Sequence, residues 1–254
     1  MDFNREERVA ILVLGFCAGF IIGLDEMITV SGTTLSIDYT TGLFTLLVIM
    51  AGMLASVFWH ELCHKFAARW SGYYTHTSVY PAGIVLGVAL SLFTFGWVQF
   101  FTPNPSDLEA NPRARIAKHR KYENWKQQAF IAGAGIVGTG LFAVALQGLF
   151  IFTEQQLFRT LLLGNIWLMV YSLVPFELIN LWQLRYFQSI EQLPQSDGLY
   201  LLHYSIYAYI FVTTFVIVLS LLLYFTTSFG LWLAICLALT ATLATWWHYF
   251  KNAS

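Results

Sequence analysis

Long apolar runs broken by short polar stretches set the first-order organisation of this chain. A helix needs about 20 apolar residues to cross a hydrocarbon layer. Six stretches of that kind occur, at approximately 9–24, 42–64, 127–152, 158–183, 207–226 and 231–249. A seventh, 81–102, is punctuated by Pro81, Gly83, Gly87 and Gly96 and followed by Pro103. That pattern suits either a span or a re-entrant, broken segment buried in protein. Just before it, Gly72-Tyr73-Tyr74-Thr75-His76-Thr77-Ser78-Val79-Tyr80 alternates as a strand does. Ala132, Gly133, Ala134, Gly135 and Gly138 give the third long run small residues suited to close helix packing. The expected fold is all-α and polytopic: about six transmembrane helices, with a re-entrant, β-like membrane-embedded segment after the second. It is read as one integral-membrane domain, 1–254, with a core at approximately 42–206 and a C-terminal helical pair at 207–254.

Composition supports a membrane setting, since 57% of residues are hydrophobic and only 11% charged, unlike a soluble domain. A net charge of −1 gives no reason to expect nucleic acid as a partner. The basic run from Arg113 to Lys126 reads as an orienting cytoplasmic loop rather than an RNA-binding patch. Three cysteines, Cys17, Cys63 and Cys236, lie scattered in apolar segments and imply no disulfide framework. Arg5 and Arg8 before the first run fit a retained signal anchor.

Basic residues also arbitrate the topology, because Lys and Arg accumulate on the cytoplasmic side. If 81–102 dips in and returns, both termini are cytoplasmic, and twelve Lys and Arg lie inside against Arg159 alone outside. If it spans, the balance falls to eight against five. The re-entrant arrangement is expected, in a multi-pass protein of the cell membrane whose first partner is the lipid bilayer.

Within the second run stands His60-Glu61-Leu62-Cys63-His64. Four residues make slightly more than one helical turn, so both imidazoles project from one face and can share a tetrahedral Zn²⁺. In an H-E-x-x-H pattern the glutamate is not a ligand; it takes a proton from water and returns it to the leaving group. A helix begun near Gly42 would carry His60 about 27 Å along its axis, close to the cytoplasmic edge of the hydrocarbon. Charged groups at that depth are costly unless they face a metal or the bundle interior. A third ligand is needed, and Asp197, Glu177 and His203 all qualify by residue type.

Together these features resemble the site-2 protease family of intramembrane zinc metalloproteases, in its compact prokaryotic form. The family's downstream pattern, similar to N-x-x-L-x-x-x-N-L-x-P, is matched by Asn165, Leu168, Leu173 and Pro175, with Ser172 where a second asparagine is expected. The family's Asp-Gly is matched by Asp197-Gly198. The resemblance covers roughly residues 50–200 and implies zinc on His60, His64 and Asp197, Glu61 as the proton shuttle, and Asn165 with Ser172 orienting substrate. The implied substrate is a transmembrane protein or peptide, held extended against the strand-like segment and cut within or near its span. Asp197 lies 22 residues after Pro175, so residues 176–196 must loop away and return. That interval keeps open a second expectation, a degenerate relative that binds transmembrane clients without cleaving them.

Overall fold

A computed structural model describes residues 3–31, 34–37, 39–102, 106–110, 125–175 and 196–252. In chain order the elements are helix α1 (Arg5–Met27), strands β1 (Ile28–Ser31) and β2 (Thr34–Ile37), helix α2 (Thr41–Ser71), strand β3 (Tyr73–Thr77), helix α3 (Pro81–Phe93) and strand β4 (Ser106–Ala110). They are followed by helices α4 (Trp125–Thr153), α5 (Gln156–Leu173), α6 (Asp197–Tyr204), α7 (Ile206–Phe225) and α8 (Phe229–Asn252). Among the described residues four helices, α1, α2, α4 and α7, are long and apolar enough to cross a membrane. The β1–β2 hairpin, paired from Ile28↔Ile37 to Ser31↔Thr34, occupies what the sequence pattern suggests is only a short connection.

α1 opens on a capping box. Asn4 Oδ1 accepts from the Glu7 N–H and the Glu7 carboxylate accepts from the Asn4 N–H, both at 2.8 Å, which satisfies donors that a helix start leaves unpaired. α1 then runs antiparallel to α2 along a seam of Gly15, Gly19 and Gly23, one glycine per turn. A Cβ on Gly15 would stand 2.7 Å from Leu54 Cα, and one on Gly19 would collide with Met50 Cα. In lipid, where apolar surface gains little by leaving its solvent, such close backbone packing is a principal source of helix association.

Gly72 ends α2 in the left-handed conformation (φ 75°), its N–H bonded to the Ala68 and Arg69 carbonyls, the glycine cap expected where a helix must reverse. β3 therefore doubles back along the last turns of α2 and pairs antiparallel with β4, from Tyr73↔Ala110 to Thr77↔Ser106. The excursion between the two strands leaves and rejoins this ladder at one place. Its helix α3 has 13 residues, about 20 Å, which is short of a roughly 30 Å hydrocarbon layer. Phe95 and Gly96, both at positive φ, turn the chain. Residues 97–102 then run back against α3, so closely that a Cβ on Gly83 would overlap the Thr102 side chain and one on Gly87 the Phe100 carbonyl. At the tip Gly96 lies against the backbone of Asp25, near the far end of α1.

α5 stops at Leu173, where Val174 turns extended (φ −74°, ψ 118°). Pro175 disfavours helical geometry in the residue before it, so the apolar stretch 158–183 is broken near its middle. Residues 176–195, Glu177 among them, lie outside the described part. α7 and α8 close the bundle: Tyr209 donates to the Leu173 carbonyl at 3.2 Å, Trp232 Nε1 to the Val144 carbonyl at 2.9 Å, and Gln147 to the Thr226 carbonyl. Ile21, Ile22, Ile49, Met53, Ile136, Leu162, Leu168 and Met169 fill the core, while α7 leaves Ile210, Phe211, Leu221 and Phe225 exposed, as a helix facing hydrocarbon would.

Candidate metal centre

α2 supplies both histidines and α4 crosses them antiparallel. Each imidazole uses its Nδ1 on α4: His60 Nδ1 lies 2.8 Å from Thr139 Oγ1 and His64 Nδ1 lies 2.8 Å from the Ile131 carbonyl oxygen. These partners fix the tautomers. A carbonyl can only accept, so His64 carries its proton on Nδ1; the Thr139 hydroxyl donates to the Gly135 carbonyl at 3.0 Å and is therefore an acceptor for His60 Nδ1–H. Both Nε2 lone pairs are left facing inward.

They face each other and a carboxylate. His60 Nε2 and His64 Nε2 are 3.0 Å apart, and Asp197 Oδ2 lies 3.4 and 3.3 Å from them. Zinc bonds of 2.0–2.1 Å directed tetrahedrally would place donor atoms about 3.3 Å apart, close to the observed triangle. All three residues are buried. Three buried lone-pair donors converging at such distances repel unless a cation stands among them, and a His-His-carboxylate set is a common transition-metal donor group. On a metal Asp197 would act as its carboxylate.

Backbone contacts seat each ligand. A Cβ on Gly135 would overlap the His64 ring, and one on Gly138 would overlap Cys63 Sγ; Trp59 Nε1 donates to the Gly138 carbonyl at 2.9 Å. Asp197 is the first residue of α6, capped by the Ser196 hydroxyl. Gly198 beside it sits where a Cβ would overlap the Leu173 carbonyl. The Asp-Gly pair thus has a division of labour: the aspartate points at the imidazoles and the glycine lets α6 dock on the end of α5.

Glu61 is buried, and its Oε2 accepts a hydrogen bond from Thr77 Oγ1 at 2.6 Å. Asn165 and Ser172, two turns apart on α5, are fully buried. Asn165 Nδ2 donates to Ser56 Oγ at 3.0 Å and to the Leu161 carbonyl at 2.8 Å. Asn165 Oδ1 and Ser172 Oγ have no hydrogen-bond partner among the described residues. Of the other ligand candidates, His203 is exposed and stacks on Trp125 with ring centroids 4.8 Å apart, outside the group formed by His60, His64 and Asp197. Thr139, the Ile131 carbonyl and Thr77 are absent from any motif reading. The available hint is spacing: Ile131, Gly135 and Thr139 are four residues apart and share one face of α4.

The fold and site define a helical protein, with helices suited to a membrane, that could hold a metal ion on two histidines and an aspartate. Comparison with protein-family models, curated proteins and solved structures finds no match, so the functional argument rests on the residues themselves.

Proposed function

We propose that this chain is an intramembrane zinc metalloprotease of the site-2 protease type, hydrolysing a peptide bond within or near a transmembrane segment of another membrane protein. The observation that carries the reading is the arrival of Asp197 beside two imidazoles whose other nitrogens are already committed to α4. Three protein ligands and a neighbouring glutamate make the pattern of a hydrolytic zinc site, in which a fourth position stays open. Zinc, when bound, supplies Lewis acidity toward the scissile carbonyl and toward water. His60, His64 and Asp197 hold it; Thr139 and the Ile131 carbonyl keep the imidazoles oriented. Glu61 takes the proton from the attacking water and delivers it to the leaving amine.

A helical substrate has its carbonyls tied up in hydrogen bonds and must be extended before it can be cut. β3 offers a template for that strand, and the unpartnered Asn165 Oδ1 and Ser172 Oγ are polar groups that an extended backbone would satisfy. In this reading α5 and α8 complete six spans, the hairpin at 81–102 is re-entrant, and both termini lie on the cytoplasmic side with the metal centre. The client-binding alternative drew its force from the long interval before Asp197; because the aspartate does reach the histidines, the cleaving reading is preferred.

The test uses tagged single-span membrane proteins, with Asn-Pro or paired glycines placed in the span, reconstituted with this chain in lipid vesicles. Glu61→Gln should abolish cleavage while the metal content stays at the parent's level; cleavage at the parental rate would sink the assignment.

A further inference from the structure

We propose that Thr77 is the positioning residue for Glu61, holding one carboxylate oxygen so that the other is aimed at the reacting water. The inference rests on the protease reading above and goes beyond it, since the H-E-x-x-H pattern ends at His64 and includes no residue of this strand. The hydrogen bond is short, 2.6 Å from Thr77 Oγ1 to Glu61 Oε2, and both side chains are buried. A hydroxyl has a single proton to donate, and Thr77 spends it on the glutamate.

The backbone brings these two residues to one level. Glu61 lies about 15 Å before the end of α2 at 1.5 Å per residue. After the Gly72 reversal, four strand steps from Tyr73 to Thr77 cover about 13 Å at 3.3 Å each. The strand thus returns Thr77 to the level of Glu61, and its alternation buries Tyr73, Thr75 and Thr77 while exposing Tyr74 and His76. Pairing with β4, together with a longer contact of 3.5 Å from Lys65 Nζ to the Thr75 carbonyl, holds the register. A register slip of one residue would bury His76 in place of Thr77.

A buried carboxylate that loses its donor costs stability, because its desolvation is no longer compensated. Carboxylate placement also controls proton transfer, and a misplacement of 1 Å can cost about a hundredfold. Chain stability gives a readout independent of turnover. Thr77→Val should lower the melting temperature in detergent by roughly 3 °C or more in the parent, and by nothing measurable in a Glu61→Leu background, where no carboxylate remains to be stranded. Equal shifts in both backgrounds would overturn the contact.

On the vesicle substrates, Thr77→Val should lower kcat roughly tenfold to a hundredfold with KM and bound zinc unchanged, and Thr77→Ser should restore it. Parental kcat in Thr77→Val, with Glu61→Gln inactive beside it, would overturn the role of Thr77 and leave the protease reading standing. If Glu61→Gln cleaves like the parent, the protease reading fails, and with it the catalytic role of Thr77.

Discussion

α2 is flanked by two glycine-lined seams built alike but used differently. Toward α1, Gly15, Gly19 and Gly23 bring two backbones together, and the close contacts are with Leu54, Met50, Leu46 and Ile49. Toward α4, Gly135 and Gly138 make the same kind of space, but His64 and Cys63 occupy it, and His60, His64 and Trp59 each engage α4 by a hydrogen bond. The first seam is a packing device. The second converts closeness into chemistry: only a helix without side chains at those positions can approach near enough for the Ile131 carbonyl and the Thr139 hydroxyl to set the tautomers of the two imidazoles. Small residues in a membrane helix therefore specify a distance, and the facing residues decide what that distance is for.

The contrast can be broken by substitution, and the largest effect is expected at Gly135. Gly135→Ala should displace the His64 ring and weaken zinc affinity about a hundredfold, the upper end of the losses seen on disturbing a ligand's support, beside a stability cost of about 1–3 kcal/mol from the forced overlap. Gly19→Leu should act on stability alone: forcing α1 from α2 should cost about 3 kcal/mol, read as a lower melting temperature, while zinc per folded chain is retained. If Gly19→Leu strips the metal and Gly135→Ala does not, the assignment of the seams is inverted. Thr139→Val removes the acceptor for His60 Nδ1–H without changing shape much, and should weaken zinc affinity about tenfold to a hundredfold in a chelator competition. Trp59→Phe removes only the bond to the Gly138 carbonyl, for about 1 kcal/mol, and should leave metal affinity unchanged.

Much of this was legible in the chain. His60, Glu61 and His64 announce themselves because a single helical turn sets their spacing, so local periodicity contains the geometry. Asp197 was reachable by resemblance, but its arrival depends on how α5, residues 176–195 and α6 are arranged, and nothing local favours it over Glu177 or His203. The second partners were opaque for the same reason: Thr139 lies 79 residues and the Ile131 carbonyl 67 residues from the histidines they hold, and a backbone carbonyl carries no residue signature. The small-residue run at 132–138 reads as packing; it is packing, but at Gly135 it is against the His64 imidazole and at Gly138 against Cys63. The apolar stretch 81–102 read as either span or hairpin because hydropathy counts residues and does not see direction. The Tyr73–Thr77 ladder with Ser106–Ala110 brings both ends of the excursion together, a pairing that hydropathy does not encode. The break at Val174 was foreshadowed by Pro175, which the apolar pattern runs across.

The most direct test of the central claim is elemental analysis of the detergent-purified chain, prepared with zinc available, as the parent beside Asp197→Ala and His203→Ala. The account predicts about one zinc per chain in the parent and in His203→Ala, and almost none in Asp197→Ala. A parent without zinc, or an Asp197→Ala chain that keeps its full complement, would contradict it.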